Sequence, residues 1–240
     1  MQRANTALLA ALIAGICATS AASFAAEKPR DQSTVNRSIE ASVGGQYGDL
    51  ESVNGNISVA ANVQAQDVST VNGAIEIAGN SRLRSVESVN GSIEAEGRLS
   101  LQRGAQTVNG EIDFKGPSVI EGSVESVNGG ISLYNAEVRA KLITVNGEIE
   151  LQASRIDGGL ETTWGNVSIT QSQVNGLFRV RKPNSMWNWG SKKRPPRIEI
   201  GPNSTVNQLV LEHETEVFLH ASSKIGSITG PLVGGSVKPL

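Results

Sequence analysis

Cysteine is almost absent from this chain of 240 residues, and its one copy, Cys17, lies in an N-terminal apolar segment. Residues 1–25 are organised as an export signal, with Arg3 ahead of an apolar stretch and small residues at a cleavage site near Ala25. We therefore expect a mature chain, residues 26–240, that is periplasmic, secreted or at the cell surface. That chain has neither disulfides nor thiol chemistry, so packing alone must stabilise it.

Charge of one sign is also lacking, since 21 Lys and Arg stand against 23 Asp and Glu. This balance argues against a general nucleic-acid or membrane-surface partner. No apolar run after residue 25 is long enough to cross a bilayer, so we expect no membrane insertion. A nucleophile elbow, a phosphate loop and a metal-ligand cluster are all missing, so the sequence predicts no catalytic residues, no metal and no cofactor.

What the chain does contain is a repeat, Ser/Thr-Val-Asn-Gly-x-Ile, at steps of 18 or 19 residues. Its glycine falls at Gly55, Gly73, Gly91, Gly110, Gly129, Gly147 and Gly165, and Arg37 takes that place in the first copy. A short fixed period is the signature of a solenoid, in which each unit buries its apolar side only against its neighbours. The exceptional Arg37 suits a terminal coil, because end coils are usually atypical.

The repeat unit alternates apolar and polar residues on either side of an Asn-Gly bend, which indicates β-strands. Because the unit is too short for a helix pair or a propeller blade, the sequence predicts an all-β, single-stranded parallel β-helix. We expect coils of about 18 residues with three short faces, stacked about 4.8 Å apart; the sequence does not set the handedness. Gly and Asn tolerate the positive φ of sharp bends, so Asn-Gly should mark a corner.

The predicted solenoid domain spans residues 26–240. Regular coils cover 33–180, an inserted loop 182–196 and further coils 197–229, and the tail 230–240 either caps the last coil or is disordered.

Stacked coils turn each repeat position into a column of side chains. We expect the isoleucines to point inward and the asparagines to stack at the corner, with their amides hydrogen-bonded from coil to coil. The direction of the Ser/Thr and Val columns stays open, because strict alternation and a bend at Asn-Gly give opposite answers. Acids recur three places after the glycine. We interpret that column as a solvated face, with a cation-binding row as the alternative.

The regularity ends near Ile169, where a basic and aromatic segment begins. Seven of the 21 basic residues lie between Phe178 and Arg197, with no acid among them. Insertions in solenoids emerge on one face and often carry binding sites. The candidate ligand-binding residues are Arg181, Lys182, Trp187, Trp189, Lys192, Lys193 and Arg194, together with Trp164, which replaces the corner asparagine one coil earlier. Aromatic planes beside cations suit an anionic glycan or another envelope component. Alternatively, the tryptophans fold back over the core.

The motif Ser/Thr-Val-Asn-Gly-x-Ile-x-apolar resembles the loosely defined adhesin-type β-solenoid repeats of exported or envelope bacterial proteins. The coil length is also similar to that of the bactofilins, which form cytoskeletal polymers. The resemblance covers about Ser33 to Ile169 and returns weakly from Ile198. It implies a fold and transfers no functional residue.

These observations favour a non-catalytic envelope scaffold or adhesin-like binding protein. One alternative is a β-helix enzyme that modifies polysaccharides. Another is a structural protein that self-assembles through end-to-end association of its coils.

Overall fold

A computed structural model describes residues 29–183 and 194–240, and in these the chain coils into a parallel β-solenoid of about 11 turns. Its 23 strands pair in parallel with the coils before and after them. The predicted fold class is confirmed. The strands are β1 Arg30–Thr34, β2 Ile39–Ala41, β3 Tyr47–Ser52, β4 Ile57–Val59, β5 Gln64–Thr70, β6 Ile75–Ile77, β7 Ser81–Ser88, β8 Ile93–Glu96, β9 Leu99–Thr107, β10 Ile112–Ile120, β11 Val124–Ser126, β12 Ile131–Val138, β13 Leu142–Thr144, β14 Ile149–Gln152, β15 Arg155–Ile156, β16 Leu160–Thr162, β17 Val167–Thr170, β18 Gln173–Val180, β19 Arg197–Ile200, β20 Thr205–Leu211, β21 Glu216–Leu219, β22 Lys224–Thr229 and β23 Lys238–Pro239.

The isoleucines of the repeat form one continuous inner column. Ile93 of β8 is the direct register partner of Ile112 of β10, and the same pairing holds in both directions along the solenoid. The column contains Ile39, Ile57, Ile75, Ile93, Ile112, Ile131, Ile149, Val167, Ile198 and Val217, each no more than 3% exposed. Stacking of the repeats thus buries a narrow column of apolar side chains along the solenoid axis.

The Ser/Thr column also faces inward, and the neighbouring valines face outward. Thr107, for example, is fully buried and its hydroxyl donates to the carbonyl oxygen of Gly91 at 3.2 Å, whereas Val53 is 40% exposed. Equivalent bonds of 3.0–3.3 Å join Thr70, Ser88, Ser126 and Thr144 to the preceding coil. Strict alternation therefore holds up to the bend, and each of these five hydroxyls has an acceptor.

The asparagines form the predicted ladder along one corner. Each Nδ2 donates to the Oδ1 of the asparagine one coil earlier, at 2.8–2.9 Å, in an unbroken series from Asn36 to Asn146. The predicted stacking of the asparagines, with amides hydrogen-bonded from coil to coil, is confirmed. The acid column is solvated, as favoured, since Glu40, Glu76 and Glu94 are exposed.

The reason for glycine at this corner differs from the predicted one. None of the motif glycines has positive φ. Instead the coils approach closely: a Cβ built at Gly129 would fall 1.7 Å from the carbonyl oxygen of Gly110. In the first described coil Arg37 occupies this place with no described corner ahead of it. The expectation that positive φ places glycine here is therefore wrong, although the corner itself is where the motif predicts it.

Positive φ occurs instead at a second corner, in the polar residues that follow the motif. The residues there with φ between 50° and 62° are Asn62, Asn80, Asn135, Ala153, Gln171 and Asn203. Next to them runs a buried serine ladder. The Oγ of Ser172 accepts the backbone N–H of Ser154 at 2.9 Å, and that of Ser154 accepts the N–H of Ala136 at 3.0 Å. Ser204 and Ser223 continue the series.

The C-terminal tail lies over the last coil. β23 pairs with β21, and Lys238 binds Glu216 at 2.8 Å. Leu232 and Val237 are partly buried against the core. Of the two alternatives for residues 230–240, the structure shows the cap.

Candidate functional site

The inserted loop leaves the solenoid at the Asn-Gly corner. Val180 of β18 continues the Ser/Thr column above Thr162, and Ile198 of β19 continues the isoleucine column above Val167. A regular corner takes 5 steps, as from Thr144 to Ile149, whereas 18 steps separate Val180 from Ile198. The chain therefore has thirteen more residues between these two strands than a regular corner takes. Residues 184–193, and with them Trp187, Trp189, Lys192 and Lys193, lie outside the described residues.

Arg181, the first residue of the corner, is bound to a buried acid. It forms an ion pair with Glu161, whose side chain is only 8% exposed and also binds Lys141 at 2.8 Å. Burial acts to raise the pKa of Glu161, but the hydrogen bond from Lys141 and the charge of Arg181 outweigh it, so the pKa lies below its usual value. Glu161 therefore neutralises much of the Arg181 charge within the protein, and this ion pair anchors the first residue of the loop corner to the preceding coil.

Glu212 of the following coil anchors the same strand from the other side. Its Oε2 accepts the backbone N–H of Lys182 at 3.0 Å, and its Oε1 lies 3.7 Å from Arg179 Nε. That Nε is buried and makes no hydrogen bond to any described residue. Lys182 itself is exposed.

Trp164 and His213 lie in the coils before and after the one that carries the insertion, and their rings are in contact at the corner. Their ring centroids are 5.6 Å apart with planes inclined at 60°, and His213 Nε2 lies 3.0 Å from the carbonyl oxygen of Thr163. The two residues stand two coils apart, so the corner closes across the displaced coil. Both rings are half-buried and form an aromatic floor at the base of the loop.

The returning end of the loop is anchored differently. Arg194 is exposed, and Arg197 lies over the Phe218 ring at 4.1 Å while its Nε pairs with Glu199. The backbone N–H of Arg197 donates to Asn166 Oδ1 at 3.1 Å. Both ends of the insertion are therefore held on strands that are in register with their neighbours.

Of the predicted site residues that the structure describes, Arg181, Lys182 and Trp164 gather at one corner, and Arg194 lies at the returning end of the same loop. The acids that hold them, Glu161 and Glu212, and the His213 ring that meets Trp164 were not predicted from the sequence. The signal for Glu161 was present, because it belongs to the same outward column as Glu51, Glu87 and Glu125. No sequence pattern marks His213, because its contact with Trp164 joins two coils that are separated in sequence by the insertion.

Within residues 29–183 and 194–240, no group of three His, Cys, Asp or Glu side chains is placed to hold a metal ion. The same residues include no helix long and apolar enough to span a bilayer. A scan against protein-family models, a search of curated proteins and a search of solved structures found no match to this chain.

Proposed function

We propose that the chain is an exported, non-catalytic solenoid that acts as an envelope scaffold or adhesin-like protein. It binds an anionic glycan through the inserted loop, residues 182–196. The observation that supports the proposal is the way in which the solenoid holds the loop. The segment from Phe178 to Arg197 contains seven cations and no acid, and both ends of the loop are hydrogen-bonded to the stacked β-coils. Binding residues on loops that a rigid scaffold positions are a common arrangement.

The pairing at the base indicates which charges serve the ligand. Arg181 and Arg179 face Glu161 and Glu212, so their role is mainly to hold the loop. Lys182 and Arg194 are exposed and available to carboxylate or sulfate groups. We therefore assign the glycan contact to these two residues together with Trp187, Trp189, Lys192 and Lys193.

The solenoid itself supplies the matched control. Replacing residues 182–197 by Asn-Gly-Glu recreates the regular corner of residues 146–148 and retains Arg181 for Glu161. Isothermal titration with heparin, alginate and a neutral dextran should show binding of the intact chain to the anionic polymers alone. The short-corner variant should fold and bind none of them.

Equal binding by the two proteins would contradict the proposal. Depolymerised or modified polysaccharide in the titrated samples, detected by mass spectrometry, would instead favour the enzymatic alternative. Alanine at Trp187 and Trp189 separates the two roles of these rings, because a loss of melting temperature without loss of binding would mean that they cover the core.

A further inference from the structure

One outer face of the solenoid combines an apolar ridge with charges that change sign along the axis. We define the Glu/Val face by two adjacent outward columns that end at the Asn-Gly corner. The first column contains Glu51, Ser69, Glu87, Gln106, Glu125, Ile143, Glu161 and Arg179. The second contains Val53, Val71, Val89, Val108, Val127, Val145, Thr163 and Arg181. Six consecutive valines thus lie partly exposed in a row.

The N-terminal half of this face is acidic. Burial and the charges of three aspartates, Asp49 first among them, raise the pKa of Glu51. Burial and Asp67 likewise raise the pKa of Glu87, which Arg103 only partly offsets. Arg84 is engaged by Asp67 and Asp49. Among the described residues, neither Glu51 nor Glu87 forms an ion pair, since Arg84 pairs with the aspartates.

The C-terminal half of the same face is basic. Lys141, Arg179, Arg181 and Lys182 stand there against Glu125, Glu161 and Glu212, so cations outnumber acids by one. At the centre of the face Gln106, Val108 and Val127 are uncharged, and the one acid there, Glu125, has its pKa raised chiefly by burial.

We propose that the Glu/Val face binds a second copy of this chain in an antiparallel, two-fold symmetric dimer. Placing the axis between the coils of Val108 and Val127 brings each of these valines against the other in the second copy. Counting one coil outward on each side then sets Glu87 beside Lys141, and two further coils set Glu51 beside Arg179. Both copies share the period of about 4.8 Å, so every contact repeats in register along the face. A C2 interface of this kind is self-complementary by construction.

A parallel arrangement of the two copies is disfavoured, because it would set Glu51 against Glu51 and Arg179 against Arg179. The area sets the expected strength. Eight coils extend roughly 38 Å and a strand of four residues roughly 13 Å, so the two copies together bury on the order of 1,000 Å². This lies at the lower end for specific interfaces, and we expect a weak dimer that forms in the micromolar range or above.

Two complementary variants test the arrangement. Glu51→Arg/Glu87→Arg makes the whole face basic, and Arg179→Glu/Lys182→Glu makes it acidic. Sedimentation velocity from micromolar to millimolar protein should show a monomer–dimer equilibrium for the wild type and monomers for each variant alone. An equimolar mixture of the two variants should restore the dimer, because each acidic half then meets a basic half.

The matched control is Glu76→Arg/Glu94→Arg, which makes the same charge change on the exposed acid column and should leave the dimer intact. Val108→Lys, at the centre of the ridge, should abolish association while far-UV circular dichroism stays unchanged. Three results would overturn the proposal: a wild type that is monomeric up to millimolar concentration, a dimer that survives both face variants, or a mixture that stays monomeric. The Glu51/Glu87 variant leaves every residue of the inserted loop in place, so its effect is independent of glycan binding.

Discussion

Replacing Gly129 by alanine should destabilise the solenoid far more than the same change at its neighbour Gly130. A Cβ at Gly129 would lie 1.7 Å from the carbonyl oxygen of Gly110, whereas at Gly130 the nearest atom, the carbonyl oxygen of Glu148, lies at 3.3 Å. Neither glycine has positive φ, so backbone strain does not distinguish them. The contrast between them isolates the close stacking of one coil on the next.

The magnitude follows from what must move. Relieving the clash at Gly129 separates two coils that backbone hydrogen bonds hold about 4.8 Å apart. Overpacking of this kind costs about 1–3 kcal/mol, and the two ladder bonds of Asn128 add about 1 kcal/mol each if they break. We therefore expect a loss of about 3–5 kcal/mol for Gly129→Ala and a change within about 1 kcal/mol for Gly130→Ala.

Guanidinium unfolding followed by far-UV circular dichroism measures this difference. The midpoints convert to free energies only if the wild type and both variants share one slope, because repeat arrays can lose cooperativity. Equal midpoints for the two variants, or a lower midpoint for Gly130→Ala, would refute the reasoning that coil contact excludes a side chain at the corner.

Three further predictions concern the ladder and the buried acids. Asn109→Ala removes two ladder bonds and should cost about 1–2 kcal/mol in thermal unfolding, whereas Asn36→Ala, at the end of the ladder, should cost about half as much; equal losses would contradict an energetic role for the ladder. Glu161→Gln should cost roughly 1–2 kcal/mol at neutral pH. Because the folded pKa of Glu161 is lowered, its contribution to folding stability is present above the usual pKa of 4.5 and disappears as pH falls through the folded pKa. Unfolding midpoints measured at decreasing pH should therefore become equal for the wild type and the variant. Glu87→Gln should do the reverse and stabilise the protein at neutral pH. The folded pKa of Glu87 is raised by burial and by Asp67, so the contribution of Glu87 to stability is lost as pH rises through that pKa; a destabilised variant at neutral pH would contradict this.

The sequence predicted most of the architecture because the repeat encodes it directly. Ile93 and Ile112 occupy the same repeat position, and coil stacking leaves them no arrangement except direct register. The Asn ladder followed from the same logic, since identical amides at one strand spacing satisfy one another. The inserted loop was visible for the opposite reason, as the place where the period fails.

Two features of the fold escaped this reasoning. The direction of the Ser/Thr column depends on where alternation stops at the bend, and composition does not reveal that point. The polar residues after each motif indicate the second corner but not its positive φ, because residues as different as Asn62, Ala153 and Gln171 share one backbone conformation there.

The candidate site was predicted in composition and not in its pairing. Charge and aromatic content marked Arg181, Lys182 and Trp164, but the partners of these residues lie one or two coils away. Placing His213 against Trp164 requires the register across the insertion, which the loop length alone does not give. Long-range contacts of this kind arise from stacking and leave no local sequence pattern.

The most direct test of the stacked-column account uses the scarcity of cysteine. In a Cys17→Ser background, Glu94→Cys/Asp113→Cys places two thiols at direct register partners on an exposed column, about 4.8 Å apart and within disulfide reach. Glu94→Cys/Ser132→Cys places them two coils apart, at about twice that distance and beyond reach. Mass spectrometry after mild oxidation of dilute protein should show an intramolecular disulfide in the first pair and free thiols in the second. Free thiols in the first pair, or bridges formed equally in both, would contradict the register on which the account rests.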